Sequence, residues 1–264
     1  MLDILEPRLL HDGTVTVITT GDTIHIKGDE SPNVVVLQMN TTLDGDDGAT
    51  GIETGAGTEL VVNGQPVASG SYIISQATLD SIKHFTIDLG DGNDTLRTNS
   101  YNVNRARSIL NGIDVYGGNG DDRVELLTST LYFRYSGGNG DDRVGVASGV
   151  TIYGNAEIRP AAGRDRVMIG GTVDGADVSV RGKFLLVDTN GPSAFTAERL
   201  RVRREAVITT GNSVDRINLN RCSFYRAATI ATRGGTDLIT INQSVFHGPK
   251  MIDAGGDGDA VTES

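Results

Sequence analysis

The chain has 264 residues, with 34 acidic against 23 basic side chains and a formal net charge of −11, so it lacks the cationic excess that would neutralise nucleic-acid phosphates. Its single cysteine, Cys222, excludes an internal disulfide framework, and no run of 18 apolar residues exists to cross a bilayer as a helix. Thirty-five glycines and no tryptophan point to short strands and tight turns.

Met1 to Asp12 has no basic start, apolar centre or small-residue cleavage site, so it does not read as a secretory signal. By that criterion alone the protein is cytoplasmic or exported by another route. Within this stretch, Leu5-Glu6-Pro7-Arg8-Leu9-Leu10 resembles the LEPR-XLL segment found near the N-terminus of large surface proteins of planctomycete bacteria. The resemblance covers six residues and implies an extracellular or cell-surface setting for the protein. Pro7 also holds Glu6 extended, so a plain extended arm is the structural alternative. Residues 1–13 are read as a separate N-terminal segment.

Residues 14–84 read as antiparallel hairpins. Thr14 to Ile18, Thr23 to Ile26 and Val34 to Leu37 alternate or run apolar, with turns at Gly21-Asp22 and Gly28-Asp29. Residues 41–58, rich in Asp and Gly, are expected to form a mobile acidic loop. Asn63-Gly64 lies between Leu60-Val61-Val62 and Gln65-Pro66-Val67, the pattern of a two-residue hairpin. Such a block would cap the open edges of whatever follows.

From residue 85 to the end a turn recurs. Gly-Gly-Asn-Gly-Asp-Asp-Arg-Val occurs at Gly117–Val124 and again at Gly137–Val144. Both copies fit the nonapeptide G-G-x-G-x-D-x-U-x of parallel β-rolls. Gly90-Asp91-Gly92-Asn93-Asp94 is a partial match, with Leu89 in place of the first glycine. With the aspartate as marker, the rungs are Asp94, Asp122, Asp142, Asp165, Asp188, Asp215, Asp237 and Asp259. A spacing of roughly 20 to 25 residues is that of a solenoid whose coils stack. The predicted architecture is all-β: a parallel β-solenoid, β-roll-like or a right-handed β-helix, with an N-terminal β-hairpin cap. Glu198 to Arg204 is the one stretch that reads as either helix or strand. The last residues, Asp257 to Ser264, read as a chain ending in mid-turn, which suggests truncation or stacking on a partner.

The glycines permit backbone angles closed to other residues and expose carbonyl oxygens, and the aspartates add carboxylate oxygen. Calcium takes six to eight such oxygens, which one turn cannot supply and two stacked turns can. The candidate ligands are Gly117, Gly118, Gly120 and Asp122, Gly137, Gly138, Gly140 and Asp142, with Asp94 as a partial third. The motif resembles the repeats of the RTX family, whose β-rolls fold when calcium enters stacked glycine–aspartate turns. That family uses two such turns per coil, whereas this chain has one. The later rungs lose the glycine frame, so their aspartates are expected to accept backbone hydrogen bonds without metal. Arg123, Arg143, Arg166 and Arg216 each follow a marker aspartate and are expected to offset its charge.

No catalytic constellation emerges. His11, His25, His84 and His247 are scattered, no nucleophile elbow or zinc-protease motif occurs, and Cys222 reads as a buried thiol. Arg199, Arg201, Arg203 and Arg204 would form a basic strip, with the three odd-numbered arginines on one face and Leu200 and Val202 inward. The sequence reading is therefore a non-catalytic, calcium-binding module with a structural or adhesive role. Its partners would be calcium ions and a surface polysaccharide or another solenoid segment. A carbohydrate-active β-helix enzyme (polysaccharide lyase or epimerase) and a metal-free structural solenoid are the alternatives.

Overall fold

The computed structural model describes residues 13–41, 49–100, 109–171, 175–188 and 190–264. The LEPR-XLL-like stretch and His11 lie outside them. The regular structure among the described residues is strand, apart from one single-turn helix at Gln76–Leu79 that the sequence did not suggest. A typical coil runs through Gly112–Asn119, turns, continues as Arg123–Leu126, makes a short segment at Ser129–Thr130, and returns as Phe133–Asn139. Stacking these coils builds three sheets. The first holds strands such as Gly112–Asn119, the second those such as Arg123–Leu126, and the third the short strands such as Ser129–Thr130. From the first complete coil onward every pairing is parallel and in register, so the chain is a parallel β-solenoid.

The register follows from period-two alternation. In the first sheet Ile24, Phe85, Ile113, Phe133, Ala156, Phe184, Ala206 and Ala228 lie in one inward column. In the second, Val35, Leu96, Val124, Val144, Val167, Phe195, Ile217 and Ile239 form the facing column. Where the two columns meet, Phe184 stacks on Phe195 with ring centroids 5.8 Å apart. Each fully buried side chain of this size contributes about 1.5–3 kcal/mol. A one-residue slip would turn every column outward, so the core fixes which residues of the turns face inward.

At the N-terminal end the parallel order breaks down. Gly13–Thr20 pairs antiparallel with Thr23–Lys27, and Val34–Thr41 pairs antiparallel with Ala49–Thr54. Asn63 and Gly64, at φ of 48° and 79°, join Thr58–Val62 to Gln65–Pro66 in a hairpin. The boundary expected at residue 84 is not clean, because Thr23–Lys27 already pairs parallel with His84–Asp88 and Val34–Thr41 with Thr95–Ser100. Ala49–Thr54 lies within the stretch expected to be loop. Its Thr50 and Ile52 are fully buried, a short alternation masked in the sequence by the surrounding glycines. Residues 42–48 of that stretch lie outside the described residues. Near the other end, Ala260–Glu263 pairs with Leu238–Asn242 rather than lying in a turn.

Glu198 to Arg204 is not helical. Ser193–Glu198 ends in the second sheet, Arg199 turns the corner at φ 55°, and Leu200–Val202 belongs to the third sheet. Leu200 and Val202 are buried as expected, but the arginines do not share one face. Arg199 lies beside Glu198 at the corner, Arg201 pairs with Asp177, and Arg203 and Arg204 stand at the next corner.

The glycine columns of the turns are required by stacking. Gly140 has φ of 128°, and a Cβ there would lie 2.1 Å from the carbonyl oxygen of Gly120 in the preceding coil. Gly145, on the outer face of the adjoining strand, has no neighbour nearer than 3.9 Å. We predict that Gly140→Ala lowers stability by more than about 2 kcal/mol in urea denaturation, through backbone strain and loss of coil contact. Gly145→Ala should change it by less than about 0.5 kcal/mol. Equal effects would refute the steric account.

Candidate functional site

The repeated turn links the first sheet to the second. Strand pairing continues into it, with Gly118 beside Gly138 and Asn119 beside Asn139, so successive turns lie directly on one another. Alternation past the turn makes Asp122 and Asp142 point inward while Asp121 and Asp141 point out. Asp122 and Asp142 are neighbours, as the spacing of 20 residues required, and each is only 1% exposed.

The inward carboxylates form a column held by the backbone. The amide of Asp122 donates to Asp142 Oδ1 at 3.0 Å, that of Asp142 to Asp165 Oδ1 at 2.8 Å, and that of Asp94 to Asp122 Oδ1 at 2.9 Å. The amide of Asn33 caps the N-terminal end by donating to Asp94 at 2.6 Å. Later rungs repeat the bond: Ser193 to Asp215, Asp215 to Asp237 and Asp237 to Asp259, at 2.7, 2.8 and 2.8 Å. Asp165 therefore does not stack on Asp188. Its register partner is Ser193, and Asp188 stands five residues before that serine. The Asp188 carboxylate still enters the column, where its Oδ2 accepts the Ser193 hydroxyl at 2.5 Å. The rung delivers its carboxylate from the opposite side of the turn.

The second oxygen of each column aspartate is different. Oδ2 of Asp94, Asp122, Asp142, Asp165, Asp215, Asp237 and Asp259 is buried without a hydrogen-bond partner. The position five residues before each aspartate faces these atoms. In the Asp122 and Asp142 rungs it is Gly117 and Gly137. A Cβ on Gly117 would lie 2.5 Å from Asp122 Oδ2 and 2.6 Å from the Gly137 carbonyl oxygen. On Gly137 it would lie 2.0 Å from Asp142 Oδ2 and 2.1 Å from the Pro160 carbonyl oxygen. In other rungs a side chain occupies this position: Leu89, Pro160, Thr210 and Thr232. Thr210 stands beside the Asp215 carboxylate and lowers its affinity for protons, without closing a hydrogen bond of good geometry. At Asp122 and Asp142, the two full motifs, the missing side chain lets the carboxylate and a neighbouring carbonyl oxygen close in on the glycine, so oxygens crowd together there.

Burial dominates the electrostatics. It raises Asp94 and Asp142 to about 6 and Asp122 and Asp165 to about 7, with neighbouring carboxylates adding to the effect and the accepted amides opposing it, joined at Asp142 by the buried Tyr135 hydroxyl beside it. Asp188 and Asp215 are also raised, chiefly by burial. The arginines expected to neutralise the column do not reach it. Arg123, Arg143, Arg166 and Arg216 are exposed on the outer face, because adjacent strand residues point to opposite sides.

Two outer ladders were not anticipated. Asp121 Oδ1 accepts the Asp141 amide and Asp141 Oδ1 accepts the Arg164 amide, both at 2.8 Å. Asn139 donates through Nδ2 to Asn119 Oδ1, and Asn119 to Asp91, at 2.7 Å each. Their signal was present in the sequence, since polar residues recur one and three positions before the marker aspartate.

Among the histidines, His25 and His247 are exposed, and His247 stacks on Tyr225 at 4.8 Å. His84 is not isolated: its Nδ1 lies 2.8 Å from the Tyr132 hydroxyl, which donates to Asp114 at 2.7 Å. Burial and the Asp114 carboxylate push the Tyr132 phenol well above its usual range, so it is held as a proton donor. Cys222 is buried, its thiol pushed up to about 11 by desolvation. Comparison of the chain with known protein families, curated proteins and solved structures finds no match.

The folded chain binds the column protons more tightly than an unfolded chain, whose carboxylates titrate near 3.8. Stability from these groups is therefore fully present below about pH 4 and is lost as the pH rises through 6 to 7. We predict that chelator-treated protein melts on the order of 5 °C lower at pH 8 than at pH 5. Asp122→Asn with Asp142→Asn, which keeps both Oδ1 acceptors, should shrink that difference, the remainder coming from Asp94, Asp165, Asp188 and Asp215. A parent melting temperature that is flat across this window would contradict the assignment.

Proposed function

We propose that the chain is a non-catalytic structural module of an exported or cell-surface protein, and that its central turns bind calcium. The observation that carries this reading is the pair of buried Oδ2 atoms at Asp122 and Asp142, which make no hydrogen bond and are drawn up against the backbone at Gly117 and Gly137 together with carbonyl oxygens. Asp122 Oδ2, Asp142 Oδ2 and the carbonyl oxygens of Gly137 and Pro160 crowd these two glycines and are the oxygens that would turn toward an ion. Water would complete the six to eight oxygens that calcium takes. A divalent cation would offset the mutual repulsion of the two carboxylates, about 3 kcal/mol at 5 Å for an effective dielectric of 20. Gly118, Gly120, Gly138 and Gly140 serve the coil stacking, and Asp94 lies below Leu89, which supports confining the ion to the Asp122–Asp142 pair. The six-residue resemblance at Leu5 to Leu10 supports the surface setting, and the continuous stack of coils suits a spacer or adhesive role.

One observation favours a metal-free column. Asp215 and Asp237 make the same Oδ1 bonds in rungs where Thr210 and Thr232 stand in place of the glycine. In that reading protons alone neutralise the column.

Calorimetric titration of chelator-stripped protein with calcium near neutral pH separates the two. Saturable binding and a melting temperature raised by several degrees are expected, both lost in Asp122→Asn/Asp142→Asn and kept in Asp237→Asn. No thermal shift at millimolar calcium, an ordinary extracellular level for such modules, would leave the metal-free column standing.

A further inference from the structure

The arginines that follow the column aspartates face away from them, and their outward positions remain to be accounted for. Strand register places Arg123, Arg143, Arg166, Ala194 and Arg216 in one column on the outer face of the second sheet. Neighbours in such a column lie about 4.8 Å apart. Arg123 is held by Glu125, which also pairs with Arg97. Arg143, Arg166 and Arg216 form no ion pair among the described residues, although other surface arginines such as Arg134, Arg159 and Arg201 do. Like charges in register on adjacent strands disfavour folding, so this arrangement gains nothing from the fold itself.

Ala194 leaves a gap between Arg166 and Arg216, and a groove of about 430 Å³ opens there. The two guanidinium groups flank it from strands two steps apart, roughly 10 Å. A second column, Thr196, Asn218 and Thr240, runs beside the arginines and supplies hydroxyl and amide groups. Met168 and Leu238, 47% and 41% exposed, add apolar surface at the two ends.

We infer that this face binds an acidic polysaccharide, laid along the solenoid axis with its anionic groups on Arg143, Arg166 and Arg216. Guanidinium groups bind carboxylate or sulfate through paired, charge-assisted hydrogen bonds. Thr196, Asn218 and Thr240 match sugar hydroxyls, and Met168 and Leu238 match the C–H faces of the rings. A nucleic acid fits less well. No aromatic ring lines the groove to stack a base, whereas its hydroxyl and amide groups suit sugar rings. The site is separate from the aspartate column and does not require that column to hold calcium.

The test is binding of the whole chain, in EDTA, to immobilised polygalacturonate, dextran sulfate, neutral dextran and oligothymidylate. Retention on either acidic polysaccharide and none on neutral dextran is expected, and the two charged polymers tell carboxylate from sulfate. Arg166→Gln with Arg216→Gln should weaken binding roughly tenfold or more, the loss of at least one charge-assisted contact. Arg143→Gln alone should weaken it by a smaller factor. Arg203→Gln with Arg204→Gln, at a different corner, should leave it unchanged. Circular dichroism of each variant checks that the strands are intact, which exposed arginines make the expected result. Undiminished binding by both the Arg166/Arg216 and the Arg143 variants would overturn the assignment. So would failure of both acidic polysaccharides to bind, or preferential retention on oligothymidylate.

Discussion

At seven steps of this solenoid one coil is tied to the next by a carboxylate oxygen that accepts a backbone N–H at the same corner. Strand pairing alone would hold the sheets, but the corner between the first and second sheets is where the chain must leave one ladder and enter another. Backbone donors there have no strand partner, and an unpaired buried N–H costs about 1–3 kcal/mol. The aspartate supplies the missing acceptor from the coil above. Because its other oxygen is left over, the same device that closes the corner also creates a line of buried oxygens. The ordered stacking and any metal chemistry therefore share one cause.

That sharing explains why the sequence was legible in some respects and misleading in others. The eight-residue repeat at Gly117 and Gly137 reveals stacking directly, because identical strings at an offset of 20 residues can superpose only if coils are in register. The glycines, read as carriers of carbonyl oxygen, turn out to be set first by sterics. Gly118 and Gly138 at φ of 111° and 122° let one coil settle on the next, and any β-carbon there would strike the carbonyl below. Gly117 and Gly137 stand where the missing side chain lets a carboxylate oxygen without a hydrogen bond come up against the backbone. Residue type alone did not separate these two roles, since both are written as glycine.

The arginines show a different limit. Adjacency in sequence suggested that Arg123, Arg143, Arg166 and Arg216 would pair with their preceding aspartates. In a strand, adjacency guarantees the opposite, because successive side chains point to opposite faces. The same rule, applied one residue further back, would have placed Asp121 and Asp141 outward and predicted their ladder. Asp188 is the harder case. Its spacing of 23 residues from Asp165 looks regular, yet the register partner is Ser193, at 28. Only the pairing of Asp165–Ile169 with Ser193–Glu198 identifies that longer coil.

The exchange at that coil also shows what the fold demands. In most rungs the carboxylate comes from the position that opens the second-sheet strand. Here a serine takes that position, and the carboxylate arrives from five residues earlier, where the full motifs carry glycine. The hydroxyl at 2.5 Å satisfies the oxygen that other rungs leave unpartnered. A carboxylate is therefore retained in the column even when its place in the chain changes, while the free second oxygen is not. Acceptance of the neighbouring coil's amide and an orphaned second oxygen go together in the other seven rungs, and both are given up at Asp188. Any ion held in this column must then be a local addition to a structure that the hydrogen bonds already define, and the Asp188–Ser193 rung is where such an ion has least to gain.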